Sequence, residues 1–347
     1  MKAITYRGPG NRAPAFEEVP PPRLQHPADA IVRISHTTIC GTDLHILKGD
    51  LPEVTKGRVL GHEGVGTIVE IGPAVTGFAV GGRVLISCIT ACGRCEYCRR
   101  EMFSHCASGG WALGHTADGT QAEFVRIPFA DNSLYLAPPG IDDESLVMMS
   151  DVMPTAYECG VLSGRLRPGQ TAAVIGAGPI GLAFILAARM FSPFQLIAID
   201  KDDNRLEIAR AMGATMVINS SNDKADAEVL EHTGGKGVDL AVEAVGIPST
   251  FELCQAIVAP GGRIANIGVH GAPATLHLEK LWSHNITLTT RLVDTCSTMG
   301  LLQTLRSGAI QPRRLVTHRF AFSNFPDAYE VFSHASDRRA IKVLISV

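Results

Sequence analysis

The pattern of apolar and polar positions changes near residue 170 of the chain. Before that point, short runs rich in β-branched residues are separated by Gly and Pro, among them AIVRISHTTI, GVGTIVEIG, GRVLISC and AEFVRIP. Runs of this kind are typical of β-strands. The first 150 or so residues are therefore predicted to form a strand-rich lobe.

From Thr171 onwards, apolar runs of strand length alternate with segments of helical length. The runs are TAAVIG, LIAID, TMVIN, VDLAVEAVG, GRIANIG and NITLTT. Six strands with intervening helices predict a parallel, doubly wound sheet. The last stretch, from about residue 296, contains a helix, a Pro-rich connection and the terminal run IKVLISV, and we expect it to pack against the first lobe.

Length and charge narrow the class of protein. A chain of 347 residues is long enough for two domains. The net charge of −3 comes without a basic patch or an acidic tail, which argues against a nucleic-acid partner. The first residues lack the apolar core of a signal peptide, and the chain contains no apolar span of about 18 residues. These features predict a cytoplasmic protein with no membrane partner.

Four of the nine cysteines lie in the segment CGRCEYCRREMFSHC. In a reducing compartment such a cluster is more often a metal site than a pair of disulfides. The spacing C-x2-C-x2-C-x7-C lets four thiolates bind one tetrahedral Zn²⁺ with no open position, which is typical of a structural zinc site. Exposed thiols or two disulfides are the alternative. The predicted ligands are Cys92, Cys95, Cys98 and Cys106.

The segment GAGPIG follows the apolar run TAAVI and opens a helical run. Its glycines permit a tight turn and a close approach of the backbone to a pyrophosphate. Asp200 lies at the end of LIAID, where a carboxylate can bind the adenosine ribose hydroxyls, so NAD is the predicted cofactor. The basic residues Lys201 and Arg205 follow Asp200 closely. They either weaken the preference for NAD over NADP or form only a solvated charge cluster. The predicted cofactor contacts in the loop are Gly176, Gly178, Pro179, Ile180 and Gly181.

A second set of metal-binding residue types lies in CGTDLH and GHEGVG. Cys40 and His62 are ligands on separate segments, and open catalytic metal sites are commonly assembled in this way. A buried His beside a Cys is also common without any metal. The residue types alone leave both interpretations open.

These segments together resemble the zinc-dependent medium-chain alcohol dehydrogenases along the whole chain. The resemblance is carried by CGTDLH, GHEGVG, the four-cysteine segment, GAGPIG with its later acidic residue, VEAVG and IKVLI. It implies an α/β fold in which a doubly wound Rossmann domain is inserted into a strand-rich GroES-like catalytic domain. The expected bounds are 1–152 and 295–347 for the catalytic domain, with a zinc lobe at about 88–108, and 153–294 for the Rossmann domain.

The resemblance also implies a catalytic zinc bound by Cys40 and His62. The segment MMSDVMPTAYECG is similar to the bacterial secondary-alcohol dehydrogenase branch, in which an aspartate is the third ligand. Asp151 is therefore the predicted ligand, and Cys159 is its competitor.

Further roles follow from the same resemblance. Glu63 either joins the zinc or lies just behind it, and Asp43 is expected to orient the zinc-bound imidazole. Thr42 is expected to pass the alcohol proton to His45, which carries it to solvent, although either residue could simply be packed in the fold. Gly268 and Val269 resemble the backbone that meets the nicotinamide. Three further residues either shape the substrate pocket or pack in the core: Trp111, Trp282 and Leu292.

The implied reaction is reversible hydride transfer between a secondary or primary alcohol and NAD through a zinc-bound alkoxide, with a ketone or aldehyde as the other partner. Two Zn²⁺ per chain and a homo-oligomer, tetramer rather than dimer, are expected. A polyol or L-threonine dehydrogenase is an alternative, because CGTDLHI resembles that branch as well. A different class is a non-catalytic nucleotide-binding or redox-sensing protein, because fold does not prove activity.

Overall fold

The computed structural model describes residues 1–11, 13–222 and 224–347. The chain forms two compact units. The first unit comprises Met1–Asp151 and Asp294–Val347, and the second unit comprises Val152–Val293. Among the described residues, no helix combines the length and the apolar character needed to span a bilayer.

The first part of the first unit is built mainly from strands. They are β1 (Lys2–Thr5), β2 (Ala15–Glu18), β3 (Ala30–Ile39), β4 (Gly64–Ile71), β5 (Arg83–Ile86), β6 (Phe124–Ile127) and β7 (Leu134–Leu136). The helices are α1 (Gly41–Lys48), α2 (Ala130–Ser133) and α3 (Asp143–Val147).

The second unit alternates strands and helices. Its strands are β8 (Thr171–Ile175), β9 (Gln195–Asp200), β10 (Met216–Asn219), β11 (Val238–Glu243), β12 (Val258–Asn266) and β13 (Thr287–Thr290). Its helices are α4 (Val152–Thr155), a π-helix (Ala156–Leu162), α5 (Pro179–Ala188), α6 (Asp203–Met212), α7 (Ala225–His232), α8 (Pro248–Ile257) and α9 (Leu278–Leu281).

The chain then completes the first unit with α10 (Thr298–Arg306), β14 (Val316–Ala321), α11 (Phe325–Ser333) and β15 (Lys342–Ser346). In this unit β15 pairs antiparallel with β3, and β3 pairs antiparallel with β4. The strand order is β14-β15-β3-β4-β5-β7, with β6 also paired to β3. Short 3₁₀ turns occupy Cys98–Arg100, Phe103–His105, Arg189–Phe191, Ser220–Asn222, Pro312–Leu315 and Phe322–Asn324.

The parallel sheet of the second unit has the order β10-β9-β8-β11-β12-β13, which is the doubly wound arrangement that the sequence predicts. The strand β8 is buried along nearly its whole length, because helices cover both faces of such a sheet. Trp282 and Leu292 are exposed, so core packing is the wrong interpretation for both.

Candidate active site and cofactor loop

Three predicted zinc ligands meet in the first unit. Cys40 caps the N-terminus of α1 directly after β3, His62 precedes β4, and Asp151 follows α3. One ligand atom from each residue lies within 4.8 Å of the other two. The distance is 3.5 Å between His62 Nε2 and Asp151 Oδ2, and 3.9 Å between Cys40 Sγ and Asp151 Oδ2.

The surroundings of His62 favour a positive charge among these three residues. Burial by itself disfavours a charged imidazole, but hydrogen bonds to Asp151 and Cys40 outweigh it and raise the pKa of His62 well above its ordinary value. A thiolate, an imidazole and a carboxylate are also the ligand types that Zn²⁺ prefers. The donor set therefore fits a zinc ion. Cys159, the competing ligand, is buried in the π-helix of the second unit and is not one of the three grouped residues.

Asp43 lies behind Cys40. Its Oδ2 accepts hydrogen bonds from the backbone N–H of Cys40 at 2.9 Å and from Gln121 Nε2 at 3.0 Å. The hydroxyl of Tyr329 donates to Gln121 Oε1 at 2.8 Å, and burial raises the pKa of both Asp43 and Tyr329. Sequence reasoning missed Gln121 and Tyr329. The role of Asp43 in orienting His62 stays a prediction, since these hydrogen bonds go to other groups.

Glu63 pairs with a lysine from the far end of the chain. Lys342 Nζ donates to Glu63 Oε2, and so does Thr38 Oγ1. Lys342 also donates to Thr38 Oγ1 and to the carbonyl of Ile39, each at 3.3 Å. Both charged side chains are buried. Burial lowers the pKa of Lys342, but the nearby negative charges, chiefly Glu63, outweigh that effect and leave the pKa raised.

The two residues of the predicted proton path lie on α1. Cys40 Sγ is 3.8 Å from Thr42 Oγ1. His45 is half-buried, and its Nδ1 lies 2.7 Å from Asp50 Oδ2. Their spacing of three residues places them about one turn apart on the helix.

The four-cysteine segment forms a second compact group. The ligand atoms of Cys92, Cys95, Cys98 and Cys106 lie within 4.8 Å of one another, and no disulfide joins any of the nine cysteines, all of which lie in the described chain. Backbone N–H groups, first that of Cys98, lower the pKa of Cys95 to about 6. Burial raises the pKa of Cys98 to about 12. Four thiols crowded so closely hold their negative charge most easily around a bound cation, so this donor set also fits Zn²⁺.

The glycine-rich loop lies between β8 and α5 in the second unit. Gly176 has φ of +98°, and a Cβ at Gly181 would clash with the carbonyl oxygen of Gly176. A Cβ at Gly178 would meet only Arg205 Nη1, at 3.9 Å. Open space at Gly178 beside a guanidinium fits the approach of a phosphate to the N-terminus of α5. Pro179 and Ile180 are half-buried at the first turn of this helix.

Asp200 ends β9 beside this loop. Its Oδ2 accepts from the backbone N–H of Ala177 at 2.6 Å, and its Oδ1 accepts from that of Asp202 at 2.9 Å. Arg205 Nη1 is 4.0 Å from Asp200 Oδ2, whereas the side chain of Lys201 is exposed. The structure therefore brings the loop, Asp200 and Arg205 together.

Gly268 and Val269 follow β12. Val269 is 68% exposed, and a Cβ at Gly268 would clash with Glu243 Oε2. Glu243 is fully buried, and its Oε1 accepts from the backbone N–H groups of Val245 and Gly246 at 3.0 and 2.9 Å. Sequence reasoning missed Glu243 as a support of this turn, although a carboxylate within the apolar run VDLAVEAVG was a readable signal.

Two family profiles match the chain. The alcohol dehydrogenase GroES-like domain matches residues 26–138, and zinc-binding dehydrogenase matches residues 179–304. These matches confirm the predicted fold class of a Rossmann domain joined to a GroES-like domain.

Individual proteins match over nearly the whole length. Zinc dependent alcohol dehydrogenase 2 from Streptococcus pneumonia, solved in the apo form, is 51% identical with a TM-score of 0.95, covering 100% of this chain and 98% of that one. An alcohol dehydrogenase from Escherichia coli CFT073, solved in complex with NADH, is 27% identical with a TM-score of 0.88, covering 100% and 99%. An alcohol dehydrogenase from Cupriavidus necator is 37% identical over 362 residues, covering 97% of this chain and 96% of that protein. The chain therefore belongs to the zinc-dependent medium-chain alcohol dehydrogenase family.

Proposed function

We propose that this protein is a zinc-dependent alcohol dehydrogenase that transfers hydride reversibly between a secondary or primary alcohol and NAD. The observation that carries the proposal is the convergence of ligand atoms from Cys40, His62 and Asp151 within 4.8 Å of one another. Membership of the family supports the reaction class, because the full-length relatives are alcohol dehydrogenases.

The catalytic zinc would be held by Cys40, His62 and Asp151. Three protein ligands leave one tetrahedral position for a substrate, as catalytic zinc sites require. Bound there, the ion supplies a Lewis acid that polarises an alcohol or carbonyl oxygen. Glu63 would lie behind the zinc ligands and would not be a fourth ligand, since its carboxylate accepts hydrogen bonds from Lys342 and Thr38.

Thr42 and His45 form the proposed proton path. The hydroxyl of Thr42 can accept the alcohol proton while it donates its own, and it lies beside the Cys40 thiol. His45 is partly exposed and bonded to Asp50, so it can release the proton to solvent. NAD held at the glycine-rich loop would accept the hydride from the alcohol carbon, so that the product would be a ketone or an aldehyde.

The glycine-rich loop is the proposed NAD site. Open space at Gly178 admits the pyrophosphate, and Asp200 is the proposed acceptor for the ribose hydroxyls. The exposed Val269 and the adjoining Gly268 are proposed to contact the nicotinamide. The E. coli relative solved with NADH supports this choice of cofactor.

The four-cysteine group is the proposed structural zinc site, which gives two Zn²⁺ per chain with different roles. We also propose a cytoplasmic homotetramer with no nucleic-acid or membrane partner. The lack of disulfides among the nine described cysteines supports the location, and the net charge of −3 supports the lack of a nucleic-acid partner. Light scattering coupled to size-exclusion chromatography tests the tetramer, and a dimer mass would contradict it.

The deciding experiment compares Asp151→Asn with Cys159→Ser. Each purified variant is assayed for NADH formation from propan-2-ol, for zinc by elemental analysis, and for NAD binding by calorimetry. Asp151→Asn is expected to lose turnover and one zinc per chain while it keeps NAD binding, because a neutral amide is a poor zinc ligand. Cys159→Ser is the matched control and should keep both zincs. The opposite pattern would show that the third ligand is Cys159.

A further inference from the structure

The indole of Trp111 lies between two histidine rings. Its ring centroid is 6.2 Å from that of His62 at an interplanar angle of 80°, and 4.4 Å from that of His115 at 9°. His115 thus stacks on the indole, while an edge-to-face contact joins the indole to a proposed zinc ligand. The position of Trp111 beside the metal-binding group therefore depends on what holds His115.

Both ring nitrogens of His115 face hydrogen-bond acceptors. Nδ1 lies 3.1 Å from the carbonyl oxygen of Trp111, and Nε2 lies 3.1 Å from Glu53 Oε1. A neutral imidazole has one N–H and can donate to only one of these oxygens, whereas an imidazolium donates to both. The pKa of Glu53 is lowered, first by its own backbone N–H and then by the hydrogen bond to His115. The two contacts fix the orientation of the His115 ring, which stacks on the indole at an interplanar angle of 9°.

The loop that carries both rings is attached to the His62 segment. The backbone N–H of Gly119 donates to the carbonyl of Val59 at 2.9 Å, and that of Thr120 donates to the carbonyl of Gly61 at 3.0 Å. Gly114 has φ of +72°, and a Cβ there would come within 2.9 Å of the Gly61 carbonyl oxygen. Because Gly61 adjoins His62, this loop has little freedom to move relative to the proposed ligand.

We propose that His115 is a positioning residue: held by Glu53 and the Trp111 carbonyl, it fixes the Trp111 indole beside His62 and limits the size of the alcohol that the site accepts. The inference rests on the proposed function, because an alcohol oxygen bound near His62 brings the substituents of its carbon towards the neighbours of that ligand. Trp111 is a large, half-buried side chain at that place.

The first test measures substrate size selection. The ratio of kcat/KM for a bulky secondary alcohol over propan-2-ol is compared in wild type, His115→Ala and His115→Phe. His115→Ala should raise the ratio about tenfold or more, chiefly through the KM of the bulky alcohol, because the indole loses its stacking partner. His115→Phe keeps a flat ring without the two hydrogen bonds and should fall between. An unchanged ratio in folded His115→Ala would overturn the proposal.

The second test needs no substrate. The chain has two tryptophans, so Trp282→Phe, at an exposed position, leaves Trp111 as the sole indole reporter. At a fixed pH its emission should rise in His115→Ala, because the imidazole that stacks on the indole and quenches it is removed. Glu53→Gln should give a smaller rise, since it removes only one of the two contacts that hold the stacked ring.

Controls separate His115 from other groups. An emission that stays unchanged in folded His115→Ala would refute the proposal. His277→Phe is the matched control, since its Nδ1 lies 3.0 Å from Glu279 Oε1 without a stacked indole, and it should change neither readout. An inactive wild type with the expected fluorescence would instead refute the proposed function.

Discussion

Replacing Lys342 with Met would remove one partner of an ion pair buried in the first unit. The Lys342 side chain is 2% exposed and that of Glu63 is 1% exposed, so the remaining carboxylate would keep Thr38 as a donor but lose its countercharge. Removing one partner of a buried ion pair costs about 3–5 kcal/mol, because the other charge stays buried without compensation. We therefore expect Lys342→Met to be strongly destabilising.

The double variant makes this reasoning quantitative. Glu63→Gln alone should cost a similar amount, because it strands the ammonium group of Lys342. The double variant Glu63→Gln with Lys342→Met removes both charges of this pair. It should recover much of the free energy of unfolding that either single change loses, which corresponds to a coupling free energy of about 2–3 kcal/mol. For a unit of about 200 residues, each single change should lower the Tm by roughly 6–20 °C.

The measurement is the thermal unfolding of zinc-saturated protein by circular dichroism and calorimetry. Lys280→Met is the control, since Lys280 is exposed and its replacement should cost less than about 0.5 kcal/mol. Two results would refute the reasoning. One is a loss below about 1 kcal/mol in Lys342→Met, and the other is a double variant destabilised by the sum of the two single changes.

Three other predictions follow from the structure. Cys92→Ser should lower the zinc content from two to one per chain and lower the Tm, because a structural zinc contributes its binding free energy to folding; elemental analysis and calorimetry check this. Asp200→Gly should reduce the ratio of kcat/KM for NAD over NADP at least tenfold, since it removes a charge that repels the added phosphate and leaves Arg205 to attract it. The pKa of Asp143 is lowered, first by its hydrogen bond to His36. The ionised Asp143 carboxylate therefore stabilises the folded state above about pH 4, and this contribution is lost as the pH falls. A plot of Tm against pH should be flatter in Asp143→Asn.

The strands of the second unit could be predicted because their apolar runs are short, buried and separated by helical segments. The run TAAVIG corresponds to β8, and GRIANIG lies mostly within β12. Several strands of the first unit were not predicted, among them β2, β7 and β14. The segment VTHRFA of β14 is only partly buried, and its polar residues hide the strand pattern.

The candidate metal groups were predictable to different degrees. The four cysteines are close in sequence, so their spacing alone indicates a shared ion. Cys40, His62 and Asp151 lie on segments that only the fold brings together, and the choice of Asp151 came from a family resemblance. No local pattern could indicate that an aspartate after α3 would lie beside the other two residues.

The groups that support the ligands were the hardest to predict, and the reason is distance along the chain. Lys342 and Glu63 are 279 residues apart, and Tyr329 and Gln121 are 208 apart. A lysine inside the apolar run IKVLISV was a readable sign of a buried charge, since lysine is almost never fully buried without a partner. The sequence could not identify that partner, because the pairing depends on β15 lying beside β3 and β3 lying beside β4. Since Glu63 adjoins His62, the last strand of the chain is positioned to influence the geometry of a ligand that lies far from it in sequence.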